Sequence, residues 1–320
     1  MTPRYAAGRR CVGWRRITAV LAAASLTGCA GLVPPGAPAA PRPADHATVL
    51  VLDGTPQAVQ WVQASAAPAA LVVLAHGFTR RCTHLWGTAQ ALAEAGLTSL
   101  CLDASMTGGG APALVEALAT RLLDGADPAG RPWPVRVIVA GHSAGAVFAL
   151  RLGARIVAQA PARLAGALLF DPVATTDFAT VLTRVSDEGR RPVLALLAAP
   201  HRCNAQGNAA APLQEARRLA RAAGRDTLRV TALGPGSTHA DVEGDDTDWL
   251  AAAACGRPDP ARVADLRAQA VAWAVEVATS LPAPPGVPAA AAVDRPPPVP
   301  VPAGDGLARA TIAPCPTCVN

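Results

Sequence analysis

The segment VRVIVAGHSAGAVFAL, residues 135–150, decides the fold of this chain. Its first half is an apolar run rich in β-branched residues, which is typical of a buried strand, and its second half is apolar at helical spacing. Ser143 lies between the halves, with Gly141 and Gly145 two residues away on either side. Glycines allow a strand and a helix to approach closely at a tight turn. The segment therefore predicts a strand, a sharp turn that exposes the Ser143 hydroxyl, and a helix.

In this context the G-x-S-x-G pattern resembles the nucleophile elbow of the α/β-hydrolase family. The resemblance extends over most of residues 48–280 and implies an eight-stranded, mostly parallel sheet flanked by helices. It also implies a nucleophilic serine, here Ser143, that is activated by a histidine, which in turn is oriented by a carboxylate. In this family the chain order is serine, acid, histidine.

The histidine is predicted from its place in the chain. Only His201 and His239 follow Ser143. His239 lies in a loop rich in glycine and polar residues, directly after a predicted strand at 228–233. A loop after the last strand is where the resemblance places the base, so His239 is the predicted general base.

The acid is less directly indicated. Family members often carry it after the strand that is predicted here at 193–198, but that strand leads into His201-Arg-Cys-Asn204, which has no carboxylate. One strand earlier, Asp171 follows the predicted strand 164–170, and chlorophyllase-like esterases are similar in placing the acid there. We predict Asp171 as the acid; the competing interpretation is that it caps a turn before a proline. The alternative acids are Asp177, Asp241 and Glu243.

The donors for an oxyanion are predicted from a second loop. The buried-strand pattern at 71–75 ends in His76-Gly77-Phe78, which resembles the family's H-G loop. The resemblance implies that the backbone N–H groups of Phe78 and Ala144 hold the oxyanion of the tetrahedral intermediate. His76 is expected to shape the loop by hydrogen bonding.

The amino terminus predicts export. Four arginines within residues 9–16 precede a short apolar run, and Leu26-Thr-Gly-Cys29 closes it. This resembles a bacterial lipoprotein signal peptide over residues 1–28, which implies lipid attachment at Cys29 and a membrane-anchored protein facing the periplasm. The alternative is an ordinary secretory signal. Composition divides the rest into a Pro/Ala-rich linker at 29–46, a catalytic domain at 47–281 and a Pro/Ala-rich tail at 282–320.

Charge and composition narrow the partners. Residues 1–28 contain five arginines and no acidic residue, so removing them leaves no net charge and no support for a nucleic-acid partner. A single C-x-x-C at Cys315 and Cys318 is a weak metal signal, and we expect neither a metal nor a cofactor. The expected partners are a small-molecule or polymeric ester substrate and, through the lipid, a membrane; the sequence does not indicate an oligomeric state.

The predicted elements alternate as a parallel sheet requires. About 20 residues separate the strands at 164–170 and 193–198, which leaves no room for a large lid domain. The aromatic candidates for a substrate pocket, each of which core packing would also explain, are Trp86, Phe148, Phe178 and Trp249. The predicted strands span 48–52, 58–63, 71–75, 98–102, 136–140, 164–170, 193–198 and 228–233, and helical patterns span 85–95, 114–123, 144–159, 213–223 and 261–281.

An oxidising compartment favours disulfides. Six cysteines remain once the signal is removed and Cys29 is modified, and the preferred pairings are Cys82 with Cys101 and Cys203 with Cys255. The sequence thus predicts a lipid-anchored serine hydrolase acting on carboxylic esters. The rival prediction is a non-catalytic envelope lipoprotein that keeps the fold as a binding module, prompted by the absence of an acid after the strand at 193–198.

Overall fold

A computed structural model of the protein describes residues 46–65 and 67–280. The predicted signal peptide, the lipidation site Cys29, most of the linker, the tail and the Cys315/Cys318 pair lie outside the described residues.

The described chain is built on one eight-stranded sheet with the strand order β1-β2-β4-β3-β5-β6-β7-β8. The β1–β2 and β2–β4 pairs are antiparallel, and every other pair is parallel. The carboxyl ends of the parallel strands therefore share one edge of the sheet, and the loops that follow them meet there. The strands are β1 Ala47–Leu52, β2 Thr55–Val62, β3 Leu71–Ala75, β4 Thr98–Leu102, β5 Val137–His142, β6 Leu164–Phe170, β7 Val193–Leu197 and β8 Leu228–Ala232.

Helices cover both faces of the sheet, which is why its central strands are buried at every position. Along β5, Val137 and Val139 pack into a hydrophobic cluster with α2, α3, α4 and α5. The alternating residues Ile138 and Ala140 pack into a second cluster with α1 and α7 on the other face. The helices are α1 Trp86–Glu94, α2 Pro112–Asp124, α3 Gly145–Gln159, α4 Phe178–Ser186, α5 Ala210–Ala222, α6 Trp249–Cys255 and α7 Pro260–Ser280.

The predicted eight-stranded, mostly parallel sheet with flanking helices is confirmed. The first two strands form a hairpin with a two-residue turn at Asp53-Gly54, where both residues have positive φ. β2 begins at Thr55 rather than at the predicted residue 58, because its pairing with β1 continues up to this turn. Between β6 and β7 the chain forms only α4, so no large lid domain is inserted there.

Both predicted disulfides are present, Cys82–Cys101 and Cys203–Cys255. Of the four aromatic candidates for the pocket, Trp86, Phe148 and Phe178 are buried in the hydrophobic clusters. Trp249 is 80% exposed at the start of α6. Within the described ranges, no helix combines the length and apolar character needed to cross a membrane.

Candidate active site

Ser143 occupies the turn between β5 and α3, as predicted. Its φ of +55° places a non-glycine residue in the left-handed region, a conformation that costs on the order of 1–3 kcal/mol and persists only where surrounding contacts impose it. Those contacts come from the end of β6: the Ser143 N–H donates to the Phe170 carbonyl at 3.0 Å, and the Ser143 carbonyl accepts from the Val173 N–H at 3.2 Å. The serine is thus held in a strained turn against the next strand.

The two glycines of the motif are required by close backbone packing. A Cβ added to Gly141 would lie 2.3 Å from the Gly145 carbonyl oxygen. One added to Gly145 would lie 2.3 Å from the carbonyl oxygen of His76 and 2.4 Å from that of Ala75. The first glycine lets α3 start directly over β5, and the second lets it approach the end of β3.

The structure brings His239 and Asp171 together although 68 positions separate them. His239 Nδ1 lies 2.6 Å from Asp171 Oδ2, and both side chains are buried. Because an ionised carboxylate can only accept, Nδ1–H is the donor. The other ring nitrogen, Nε2, then carries the lone pair that can remove a proton. The two residues that the sequence analysis predicted as base and acid are therefore in direct contact.

The contacts of the Asp171 side chain go beyond those of a turn cap, which was the competing interpretation. Its Oδ1 accepts from the Ala198 N–H at 3.0 Å, and the Asn204 amide donates to Oδ1 and Oδ2 at 3.2 and 3.0 Å. Asn204 is fully buried in the segment after β7 where a carboxylate was sought. Sequence reasoning missed this residue, because it searched that segment only for an acid.

The three alternative acids are engaged elsewhere. Among the described residues, none of them forms a hydrogen bond with His239. Each binds an arginine instead: Asp177 binds Arg151, Asp241 binds Arg262, and Glu243 binds Arg80. The Arg151 guanidinium, joined by Thr175, lowers the pKa of Asp177 to about 2.

Ser143 and His239 line one cavity of about 420 Å³. No hydrogen bond joins the two side chains in the described structure; such bonds are often long before substrate binds. The buried ring of His142 packs against that of His239, with centroids 4.5 Å apart and an interplanar angle of 40°. Burial, with the neighbouring His239 adding to it, holds the pKa of His142 well below its ordinary value. His142 therefore presents an uncharged face to His239.

The predicted oxyanion donors lie beside the serine. A Cβ added to Gly77 would lie 3.3 Å from Ser143 Cβ, so the H-G loop lies against Ser143. Within the described residues, neither the Phe78 N–H nor the Ala144 N–H takes part in a hydrogen bond. The Nδ1–H of His76 donates to the Gly77 carbonyl at 2.9 Å, which is the shaping contact expected of this histidine.

A partly buried ion-pair network joins the H-G loop to the segment after His239. Arg80 donates to both carboxylate oxygens of Glu243, at 2.7 and 2.5 Å, and to Asp248 at 2.6 Å. Burial alone would lower the pKa of Arg80, but these hydrogen bonds raise it above its ordinary value. Because Arg80 is paired with two carboxylates, it holds the two loops together and is not itself a free cation.

Ser143 also lines a second cavity of about 310 Å³. Both cavities are bounded by Phe78, Arg202 and Cys203, so the serine lies where they meet. The larger one extends along α6 past Leu250 and the Cys203–Cys255 disulfide. Two separate spaces therefore flank the Ser143 hydroxyl.

One group of side chains has the composition of a metal site. The ligand atoms of His76, Cys82 and Asp103 lie within 4.8 Å of one another. However, the Cys82 sulfur is bonded to Cys101 and cannot serve as a thiolate ligand. The donor set therefore does not fit a bound ion in the oxidised protein.

No protein-family model matches the sequence, and no curated protein matches it. Several solved structures are similar to this chain. A mutant of the esterase rPPE is 16% identical over 70% of this chain and 80% of its own, with a TM-score of 0.50. A dienelactone hydrolase from Anabaena variabilis is 16% identical over 71% and 94%, with a TM-score of 0.49, and an esterase domain from Rhodothermus marinus is 18% identical over 72% and 97%, with a TM-score of 0.47. The likeness to the rPPE structure, whose TM-score reaches 0.50, shows the α/β-hydrolase fold and no more than the fold.

Proposed function

We propose that this protein is a serine hydrolase that cleaves carboxylic esters through an acyl-enzyme intermediate. One observation carries the proposal: a buried His239–Asp171 pair shares a cavity with Ser143, which is held in a strained turn. A serine hydroxyl is a weak nucleophile by itself, and an adjacent base oriented by a carboxylate is what activates it.

The residues have distinct roles in the proposed reaction. Ser143 Oγ attacks the ester carbonyl while His239 Nε2 takes its proton, and the Asp171 carboxylate stabilises the resulting imidazolium. The N–H groups of Phe78 and Ala144 donate to the oxyanion. Collapse of the intermediate breaks the bond to the alkoxy oxygen, which leaves with the proton from His239. Water then attacks the acyl-enzyme by the same route and releases the acid.

The two cavities at Ser143 support the proposed substrate class. Both are open at the surface near Phe78, and no large lid is inserted between β6 and β7 to close them. Esters with substantial groups on both sides of the carbonyl would fill both spaces. Thioesters and lactones use the same catalytic groups and are included in this class.

We further propose that the protein is exported and anchored by a lipid on Cys29. The proposal rests on the arginines, the short apolar run and the cysteine within residues 9–29. The two disulfides support it, since such bonds persist in oxidising compartments. Residues 29–46 would separate the catalytic domain from the membrane.

The activity is tested by treating the full-length chain with a fluorophosphonate probe and measuring its intact mass, beside Ser143→Ala and His239→Ala. We expect one adduct on Ser143 in the wild type and none in either variant, together with turnover of p-nitrophenyl esters by the wild type alone. A folded wild-type protein that forms no adduct would contradict the proposal and favour the non-catalytic binding module.

A further inference from the structure

The Asn204 amide donates to both oxygens of the Asp171 carboxylate and can therefore set its orientation. We propose that Asn204 is a positioning residue: it fixes both the aim and the hydrogen-bond polarity of Asp171, so that this carboxylate can only accept from His239. The inference rests on the proposed function, because it assigns how the acid of that site is held.

The orientation of the Asn204 amide is determined by its neighbours. Its Oδ1 accepts from the backbone N–H groups of His201 and Gly207, at 2.8 and 2.9 Å. Its Nδ2 donates to the Ala199 carbonyl at 2.9 Å and to Asp171. Rotating the amide by half a turn would set donor against donor and acceptor against acceptor at these contacts. The amide therefore has one orientation, with its N–H groups toward the carboxylate.

That orientation determines what Asp171 can do. Oδ1 faces the Ala198 N–H and the Asn204 amide, and Oδ2 faces the Asn204 amide and His239 Nδ1. Each of these groups is a donor, so they hold an acceptor-only carboxylate at a defined angle. The remaining hydrogen bond in the network must come from His239, which places the histidine proton on Nδ1 and leaves Nε2 free for Ser143.

The loop around Asn204 is shaped to hold it there. Ala205 and Gln206 both have positive φ, +50° and +59°, an uncommon pair of left-handed non-glycine residues that curl the chain around the amide. The adjoining Cys203 is bonded to Cys255 on α6. Ala205 and Gln206 are themselves exposed, so their strained conformation is maintained by the residues beside them, here the disulfide and the filled hydrogen bonds of the buried Asn204.

The test compares Asp171→Asn, Asn204→Asp and the double variant in the full-length chain, by ester kcat and KM and by the rate of fluorophosphonate labelling. In Asp171→Asn the donors Ala198 N–H and Asn204 Nδ2 attract the new amide oxygen and turn its NH2 toward His239, which favours the wrong tautomer. In the double variant the Ala198 N–H still attracts the amide oxygen, but the carboxylate at 204 accepts from the NH2 when the amide is turned the other way, so the amide oxygen faces His239 in a larger share of the molecules.

We therefore expect kcat of the double variant to exceed that of Asp171→Asn by about tenfold or more, with KM little changed. Asn204→Asp alone sets two carboxylates about 3 Å apart, which cannot both stay ionised, and should lower kcat and add a step to the pH–rate profile. The matched control is Asn208→Asp, the same change at an exposed site that bonds only Ala174; it should behave as the wild type.

A folded double variant no more active than Asp171→Asn would overturn the inference, as would Asn204→Asp with an unaltered kcat and pH profile. If Asn204→Asp fails to fold, Asn204→Ser supplies the test, since its hydroxyl cannot bridge both carboxylate oxygens; unchanged kcat in that variant would also overturn the inference. Absence of labelling at Ser143 in the wild type would instead refute the proposed function, which keeps the two failures distinct.

Discussion

Replacing Gly145 by alanine adds one methyl group at the point where α3 meets the end of β3. Gly145 has no positive φ, so alanine can adopt its backbone conformation. At the first position of a helix alanine would by itself be stabilising, by up to about 1 kcal/mol. Any loss in the variant must therefore come from the contact of its Cβ with neighbouring backbone.

That contact is severe. The new Cβ would lie 2.3 Å from the His76 carbonyl oxygen and 2.4 Å from that of Ala75. Ordinary contact requires a shift of about 1 Å, and the groups in the way are backbone rather than flexible side chains. Overpacking of this kind costs about 1–3 kcal/mol. A displacement of about 1 Å in the H-G loop that carries Phe78 is expected to lower kcat/KM roughly 100-fold.

The matched control is Gly153→Ala, in the same helix but away from the serine. Its Cβ would meet methyl groups of Val139 and Val185 at 3.1 Å, which can move by a few tenths of an ångström. Urea unfolding and p-nitrophenyl ester turnover should show a loss of stability and of activity in Gly145→Ala, and wild-type kcat/KM in Gly153→Ala. Equal activity in the two variants would refute the claim that this glycine sets the position of the H-G loop.

Three further outcomes are expected. Asp171→Asn should lower kcat roughly 10³–10⁴-fold without unfolding the protein; near-wild-type turnover in esterase assays would move the acid to another residue. Cys255→Ser removes the disulfide to Cys203, whose partners are 52 positions apart in the sequence. The chain-entropy relation predicts a loss of about 4 kcal/mol in the free energy of unfolding. An unchanged urea midpoint would contradict this. Burial lowers the pKa of His142, so below about pH 6.5 the unfolded chain binds a proton that the native chain does not, and the free energy of unfolding should fall as the pH drops. In thermal melts His142→Phe should reduce this dependence of stability on pH. An identical pH dependence in the variant and the wild type would contradict the role given to His142.

The sheet and the tight turn at Ser143 could be predicted from the sequence because both leave local signals in it. Strands buried on two faces are continuous apolar runs, and β3, β5 and β6 are each completely buried. The elbow needs two glycines at fixed spacing around Ser143, and their Cβ distances show why no other residue fits. Such constraints act within a few residues, so one chain is enough to detect them.

Other features depend on contacts between distant segments. Asn204 acts on a carboxylate 33 positions earlier, and an asparagine in a polar loop gives no sign of that partner. The ion pairs of Arg80 with Glu243 and Asp248 span more than 160 positions. The short helix α6 has no buried residue and hence no amphipathic pattern. Each becomes visible only when the loops after separate strands are placed at one edge of the sheet.

The placement of the acid follows from the same sheet geometry. β6 and β7 are parallel neighbours with Phe170 paired to Leu196, and the Asp171 N–H donates to the Leu196 carbonyl at 2.7 Å. The first loop residues after the two strands therefore lie side by side, at similar depth beneath His239. The Asp171 carboxylate, which follows β6, is supported by the Asn204 amide from the segment after β7. Together they give His239 an acceptor where a carboxylate after β7 was expected. The sheet geometry determines where the hydrogen-bond acceptor for His239 must lie. Which of the two strands precedes the acid depends on the pair of residues, here Asp171 and Asn204, that together complete the hydrogen bonds.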